Sequence, residues 1–268
     1  MGQCRTRGLA IVSSYGPHFG EEAPLVGKGG SGTIFFAHCN LHCVFCQNYS
    51  ISQLGEGSEV SSQDLAYMML SLQRRGCHNI NLVTPTHVVP QILQGLELAI
   101  ADGLNIPLVY NCGGYESMDT LRLLDGIVDI YMPDMKYADL SIARQYSGIE
   151  DYPAVNRAAV KEMHRQVGDL QVDDEGVATR GLLVRHLVLP HRLAGTDRIV
   201  AFLAEQVSFD TYVNVMPQYH PCHRAYDFPL LSRSITKEEC LEAMSLALQH
   251  GLKRLDQLCY PRTARVSF

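Results

Sequence analysis

An α/β fold built on parallel strands is the class this sequence predicts, and three observations carry it. Six short apolar runs recur, "GTIFFA", "NINLVTP", "IPLVYN", "GIVDIYMP", "GLLVRHLVLP" and "TYVNVMP". Each is too short for a helix and is apolar on both alternating sets of positions, as a strand covered on both faces must be. Amphipathic segments separate most of them, and this alternation implies parallel pairing with right-handed crossovers. The length, 268 residues, suits one large α/β domain or barrel, which commonly needs about 200 to 250 residues. Periodicity fits an open doubly wound sheet and a complete or incomplete barrel of βα units equally well. In each of these, ligands bind at the carboxyl ends of the strands.

The elements follow in order. The first strand, "GTIFFA", runs directly into the loop "HCNLHCVFC", which places that loop on the ligand-binding side. The helix "SSQDLAYMMLSLQRRG" begins at Ser61 or Ser62 as N-cap and stops at Gly76. Helices "PQILQGLELAIADG", "SMDTLRLLDG", "YPAVNRAAVKEMHRQVG" and "DRIVAFLAEQVS" fill the later crossovers, and "ITKEECLEAMSLALQHG" is the last. "DLQVDDEGVATRGLL" reads as a hairpin insertion turning at Asp174 to Gly176. No linker divides the chain, so residues 1–31 are expected to form an N-terminal extension and residues 32–268 a single domain.

Composition narrows the function classes. Hydrophobic residues at 46% and charged residues at 19% supply an ordinary globular core without low-complexity tracts. A net charge of -6 argues against nucleic acid as a partner, because phosphate backbones need a clustered cationic face. The arginines Arg180, Arg185 and Arg192 read instead as a solvated face or a small-anion site. No stretch reaches the roughly 18 apolar residues of a membrane span. "MGQCRT" fits the M-G-x-x-x-[ST] acylation pattern, but no polybasic second anchor follows it. Nine cysteines, with Cys4, Cys77, Cys112, Cys222, Cys240 and Cys259 scattered, do not resemble a disulfide framework. A reducing, cytoplasmic location is expected, and there a tight cysteine group points to metal.

That group is Cys39, Cys43 and Cys46, at C-x3-C-x2-C spacing. Zinc in a structural site wants four ligands, usually in paired knuckles, and only one group exists here, with His38 and His42 as neighbours. An iron–sulfur cube wants one anionic sulfur per iron. Three cysteines then leave one iron of four with an open position, as a catalytic cluster requires and an electron carrier does not.

The C-x3-C-x2-C run, with Phe45 just before Cys46 and the whole placed after the first strand, resembles the radical S-adenosylmethionine (SAM) superfamily. From Ser14 onward, "SYGPHFGEEAPLVGKGGSGTIFFAHCNLHCVFCQNYSIS", "NLVTPTHVVPQIL", "VDIYMPDMKY", "RGLLVRHLVLP" and "YVNVMPQYHP" resemble its branch related to pyruvate formate-lyase activating enzymes. The resemblance implies a partial (βα)6 barrel, a 4Fe-4S cluster on Cys39, Cys43 and Cys46, and SAM on the open iron. It also implies an oxidoreductase reaction in which a 5′-deoxyadenosyl radical abstracts hydrogen, in that branch from a glycyl radical enzyme. A reductant such as flavodoxin or ferredoxin would be a partner. The alternatives are a small molecule, peptide or RNA as substrate, or a non-catalytic zinc or iron–sulfur binding protein.

Carried over position by position, Phe45 and Gln47 are expected at the adenine, and Thr84 and Thr86 near the methionine ammonium, where the activating enzymes have a glycine-rich turn with an acidic residue. Asn111, Asp134 and Lys136 match positions near SAM, Arg185 its carboxylate, and His220 its ribose. Cys112 and Cys222, near strand ends, read as small buried filler rather than as hydrogen donors. Cys4 has no evident task.

Overall fold

The computed structural model describes residues 4–256. The first three positions of the acylation pattern, and Cys259, lie outside them. Strand β1 (Ala10–His18) leads through a short helix α1 (Ala23–Val26) into β2 (Ser31–Phe36), with which it pairs antiparallel. The cysteine loop and α2 (Tyr49–Ser52) come next, and then β3 (Ser58–Val60), antiparallel to β1 on its other side.

The parallel array starts at β2. It continues through α3 (Ser62–Arg74), β4 (Ile80–Val83), α4 (Val89–Ala101), β5 (Leu108–Cys112), α5 (Met118–Leu123) and β6 (Ile130–Pro133). Helices α6 (Leu140–Ser147) and α7 (Tyr152–Val167) lead to the hairpin of β7 (Gln171–Val172) with β8 (Ala178–Leu187). Helix α8 (Thr196–Gln206), β9 (Tyr212–Met216), α9 (Lys237–Gln249) and β10 (Leu255–Asp256) complete it. Strand order is β10-β9-β8-β6-β5-β4-β2-β1-β3, and every pair from β2 to β10 is parallel. The result is the expected open partial barrel of six βα units, with β1 and β3 added at one side.

All six apolar runs are strands, because helices cover their outer side. Leu65, Met69 and Leu72 of α3 and Ile92 and Leu96 of α4 are buried in the core cluster that also holds Ile80 and Leu82 of β4. Ser61, not Ser62, caps α3: its hydroxyl accepts from the Asp64 amide and Asp64 answers on the Ser61 amide at 2.8 Å. Thr236 and Glu239 make the same reciprocal cap on α9.

The inner side differs from the apolar reading. Asn81, Asn111, Arg185 and Asn214 occupy strand positions, and three of them, Asn81, Asn111 and Asn214, are fully buried. They are embedded singly among apolar neighbours, so hydropathy does not register them. Strand β1 was not anticipated either. Its sequence, "AIVSSYGPH", carries serines, a glycine and a proline, and its register with β2 comes from backbone pairing rather than from side-chain alternation.

One turn shows how tightly the barrel mouth is built. Gly114, just past β5, has φ of 73°, and its carbonyl and that of Asp134 both accept from the Asn156 amide, at 3.0 and 2.9 Å. A side chain here would run into Asn156 Nδ2 and the Asp134 carbonyl. Gly126 has nearly the same φ, 80°, but faces open space. Gly126→Ala should therefore cost about 1 kcal/mol from backbone strain alone, whereas Gly114→Ala should cost roughly 3 kcal/mol or more. Urea midpoints check this, and equal losses at both positions would refute the account.

Candidate active site

The carboxyl ends of the strands enclose a cavity of about 220 Å³. Cys39, Cys43 and Cys46 line one wall, Asn111, Cys112, Asp134, Lys136 and Arg185 the opposite one, with Thr84 from the end of β4 and Glu21 from the N-terminal segment.

The loop that carries the cysteines is held by backbone bonds on several sides. His42 and Val44 amides donate to the carbonyls of Ser147 and Tyr146 at the end of α6, the Arg224 amide donates to Val44, and the His38 amide donates to Ile51. Leu41, Val44 and Phe45 anchor its underside in a second core with Tyr137, Tyr146, Tyr152 and Tyr219. His38 enters the loop at φ 69°, a left-handed conformation that turns the chain sharply just before Cys39.

Each sulfur has a hydrogen-bond donor in reach. The Leu41 amide donates to Cys39 Sγ at 3.4 Å, Cys43 Sγ lies 2.9 Å from Ser147 Oγ, and Cys46 Sγ lies 3.1 Å from Ser52 Oγ. Burial pushes the Cys39 thiol up to about 12 and raises Cys43 as well. Such thiols lose their protons only to a strong local cation, which a bound metal supplies. Among the described residues, no three His, Cys, Asp or Glu are arranged to hold a single ion. Three thiols set around a shared cavity, each with its own donor, fit instead the demand of an iron–sulfur cluster for one thiolate per iron.

Across the cavity, Asp134 takes Lys136 Nζ at 2.6 Å on one oxygen and Arg185 Nε at 2.8 Å on the other. Arg185 also donates to Asn111 Oδ1 at 2.7 Å. Burial alone would raise the Asp134 pKa, but the two cations, Arg185 foremost, hold it below the ordinary aspartate range. Thr84 sits at φ 60°, its amide donating to the Asn111 carbonyl at 2.8 Å. A β-branched residue in that region stores about 1 to 2 kcal/mol of strain.

Of the residues expected near SAM, the structure brings Thr84, Asn111, Asp134, Lys136 and Arg185 together with the three cysteines. Phe45 does not line the cavity and packs edge-on against Tyr219 and Tyr137, with ring centroids 5.7 and 6.3 Å away. Thr86 is turned aside and donates to Glu116 Oε1 at 2.7 Å. Gln47 and His220 meet each other at the exposed rim, at 3.3 Å. Glu21, Ser52 and Ser147 were not singled out from the sequence, and no spacing marks them, since each arrives from a different element. Cys112, read as filler, is buried but lines the cavity.

Behind Cys112 lies Glu116, only 2% exposed, its carboxyl accepting from Thr86 and, at 2.9 Å, from Tyr110. Burial pushes its pKa up to about 7.

No protein-family model matches the sequence. The uncharacterized protein MJ0674 of Methanocaldococcus jannaschii is 33% identical over 244 residues, covering 88% of this chain and 66% of that protein. Three solved structures share the architecture at low identity. "Native anSMEcpe with bound AdoMet" superposes with a TM-score of 0.55 at 10% identity, over 82% of this chain and 61% of that one. Streptococcus suis SuiB bound to precursor peptide SuiA also gives 0.55, at 11% identity, over 81% and 46%. The FeFe-hydrogenase maturase HydG from Carboxydothermus hydrogenoformans gives 0.55 at 13%, over 80% and 49%. The fold is that of radical SAM enzymes. The chain spans less than two thirds of the length of each of these four proteins.

Glu116 offers a direct check on this interior. An unfolded glutamate releases its proton near pH 4.3, roughly, whereas native Glu116 holds it to about 7. Between those values the native state binds more protons, so the stabilisation is complete below about pH 4 and is lost as pH rises toward 7. Glu116→Gln should lack this slope and gain on the order of 3 kcal/mol on the wild type between pH 4 and 7.5. Urea denaturation across that range tests it, and parallel curves would count against a buried neutral acid.

Proposed function

We propose that this protein is a radical SAM enzyme: it holds a 4Fe-4S cluster on Cys39, Cys43 and Cys46, binds SAM beside it and abstracts hydrogen from a substrate. The observation that carries the reading is the convergence of three cysteines, Cys43 buried and Cys39 and Cys46 partly so, and the Asp134–Lys136–Arg185 group on one cavity at the carboxyl ends of a partial barrel. When bound, the cluster and SAM supply the chemistry, one electron breaking the sulfonium bond to give methionine and a 5′-deoxyadenosyl radical.

The chain's own residues bind, orient and exclude water. Leu41 N–H and the hydroxyls of Ser147 and Ser52 are placed to donate to thiolate charge on the three sulfurs. Lys136 and Arg185 offer cations to the carboxylate of SAM, and Asp134 and the Asn111 and Thr84 oxygens offer acceptors to its ammonium. Asp134 fixes both cations before any ligand arrives, so little reorganisation is needed on binding. Gln47 and His220, paired at the rim, are assigned to the outer, nucleoside end.

For the substrate we infer a peptide or protein segment. The SuiB and anSMEcpe structures hold peptides, a precursor peptide in one and Cp18Cys in another. A glycyl radical enzyme, as the resemblance to activating enzymes implies, is one member of that class. An external one-electron donor, a flavodoxin or ferredoxin, completes the partners.

Anaerobic reconstitution with iron, sulfide, SAM and dithionite, read by mass spectrometry for 5′-deoxyadenosine, tests the reading. Alanine at Cys39, Cys43 or Cys46 should lower iron content and reduce 5′-deoxyadenosine to background, while Cys77→Ala, in the core beneath β4, should change neither. Loss in all four would contradict the cluster assignment. Asp134→Ala should weaken SAM binding at least tenfold with iron retained, and a variant that loses iron instead would place Asp134 in the wrong role.

A further inference from the structure

A second cavity, of about 510 Å³, opens beside the first, and Glu21 lines both. Its other walls include Glu22, Asn214 and Asp256, with Phe19, Ala23 and Val26 as apolar surface. We propose that this is the substrate pocket, and that it takes a primary ammonium group carried on an alkyl chain, gripped by Glu22 and Asn214 and flanked by Glu21. The inference rests on the radical SAM reading above for the word substrate, and on the following geometry for the ligand.

Glu22 and Asn214 are 7% and 3% exposed. Asn214 Nδ2 donates to Glu22 Oε1 at 3.1 Å, which fixes the orientation of the amide, since a carboxylate can only accept. The other atom of each pair, Glu22 Oε2 and Asn214 Oδ1, is buried and accepts no hydrogen bond. Two orphan acceptors on the wall of one cavity call for a donor, because a buried unpaired polar atom costs about 1 to 3 kcal/mol.

Charge selects a cation. The basic groups nearby are the half-exposed His18, with Nδ1 3.5 Å from Glu21 Oε1, and Arg185, with Nε 3.9 Å from Glu22 Oε1 but already engaged with Asp134 and Asn111. Lys136 is likewise held by Asp134. Glu21 and Glu22 line the cavity, and among the described residues no lysine or arginine does. Burial raises the Glu21 pKa despite Arg185 and His18, so a cation bound beside it would favour its ionised form.

The donor set selects the kind of cation. A metal ion is disfavoured because no three acidic or other ligating side chains among the described residues are arranged for one. A guanidinium would want two free oxygens of one carboxylate, and Glu22 has one. An ammonium, with three diverging N–H bonds, suits acceptors supplied singly by different side chains. Phe19, Ala23 and Val26 then cover the methylenes.

Calorimetry on the full chain without cluster or SAM tests this with four probes: butylammonium chloride, N-acetyl-lysine amide, butanol and magnesium chloride. An ammonium probe should bind and butanol should not. Glu22→Gln should weaken binding at least tenfold, as should Gly20→Lys, which sets a competing ammonium at the exposed mouth, where the half-exposed His18 ring must shift to admit it. Glu97→Gln, on α4, should leave it unchanged. Tighter binding of N-acetyl-lysine amide than of butylammonium would identify a peptide lysine as the source, and the reverse a free amine. Equal binding of butanol, preference for magnesium, or indifference to both Glu22→Gln and Gly20→Lys would overturn the proposal. The radical reading fails separately: absent 5′-deoxyadenosine with ammonium binding intact removes the reaction but not the pocket, and normal 5′-deoxyadenosine without ammonium binding removes only the pocket's ligand.

Discussion

The partly buried contact of Asp134 with Lys136 and Arg185 is the constraint on which the rest of the molecule depends. It joins the end of β6 to β8, and through Asn111 to β5, at the level where the strands give way to loops. Three charges largely withdrawn from water are tolerable only when each has partners, and removing one would leave the others uncompensated. The surrounding backbone is committed to that arrangement. The Asp134 carbonyl accepts from both Tyr152 and Asn156, and the Tyr152 hydroxyl also accepts from the Lys136 amide. A ligand arriving at this wall meets cations and acceptors already oriented.

The opposite wall is made by a loop, yet it has the order of a core element. Its side chains fill the aromatic cluster below it, its amides are spent on α6, and its strained entry at His38 is over-determined by those contacts. Strain at His38 and at Thr84 thus flanks the cavity on two sides. Such outliers persist where packing forces them, and here one immediately precedes Cys39 and the other lines the cavity.

Much of the fold was legible because its signal is local. Apolar runs, the cap of α3, expected at Ser61 or Ser62 and found at Ser61, and the Asp174 to Gly176 turn are each written within a few residues, and each is found in place. Hydropathy read the barrel interior as uniformly apolar: Asn111, expected near SAM from the resemblance, lines the first cavity, and Asn214, unremarked in sequence, lines the second. Strand β1 stayed hidden because its stability comes from its neighbours rather than from its own alternation.

The sequence by itself determined the order of strands and helices and the one loop dense in soft ligands, because periodicity and spacing are properties of adjacent residues. Only tertiary structure decided that Glu21 and Glu22, 112 and more residues before Asp134 in the chain and unremarkable in sequence, would stand at the mouth beside it. It also decided that Thr86 would turn toward Glu116 while Thr84 faced the cavity. The physical reason is the same in both cases. Burial, counter-charge and the direction in which a side chain points are set by what closes over it, and closure is a property of the whole barrel.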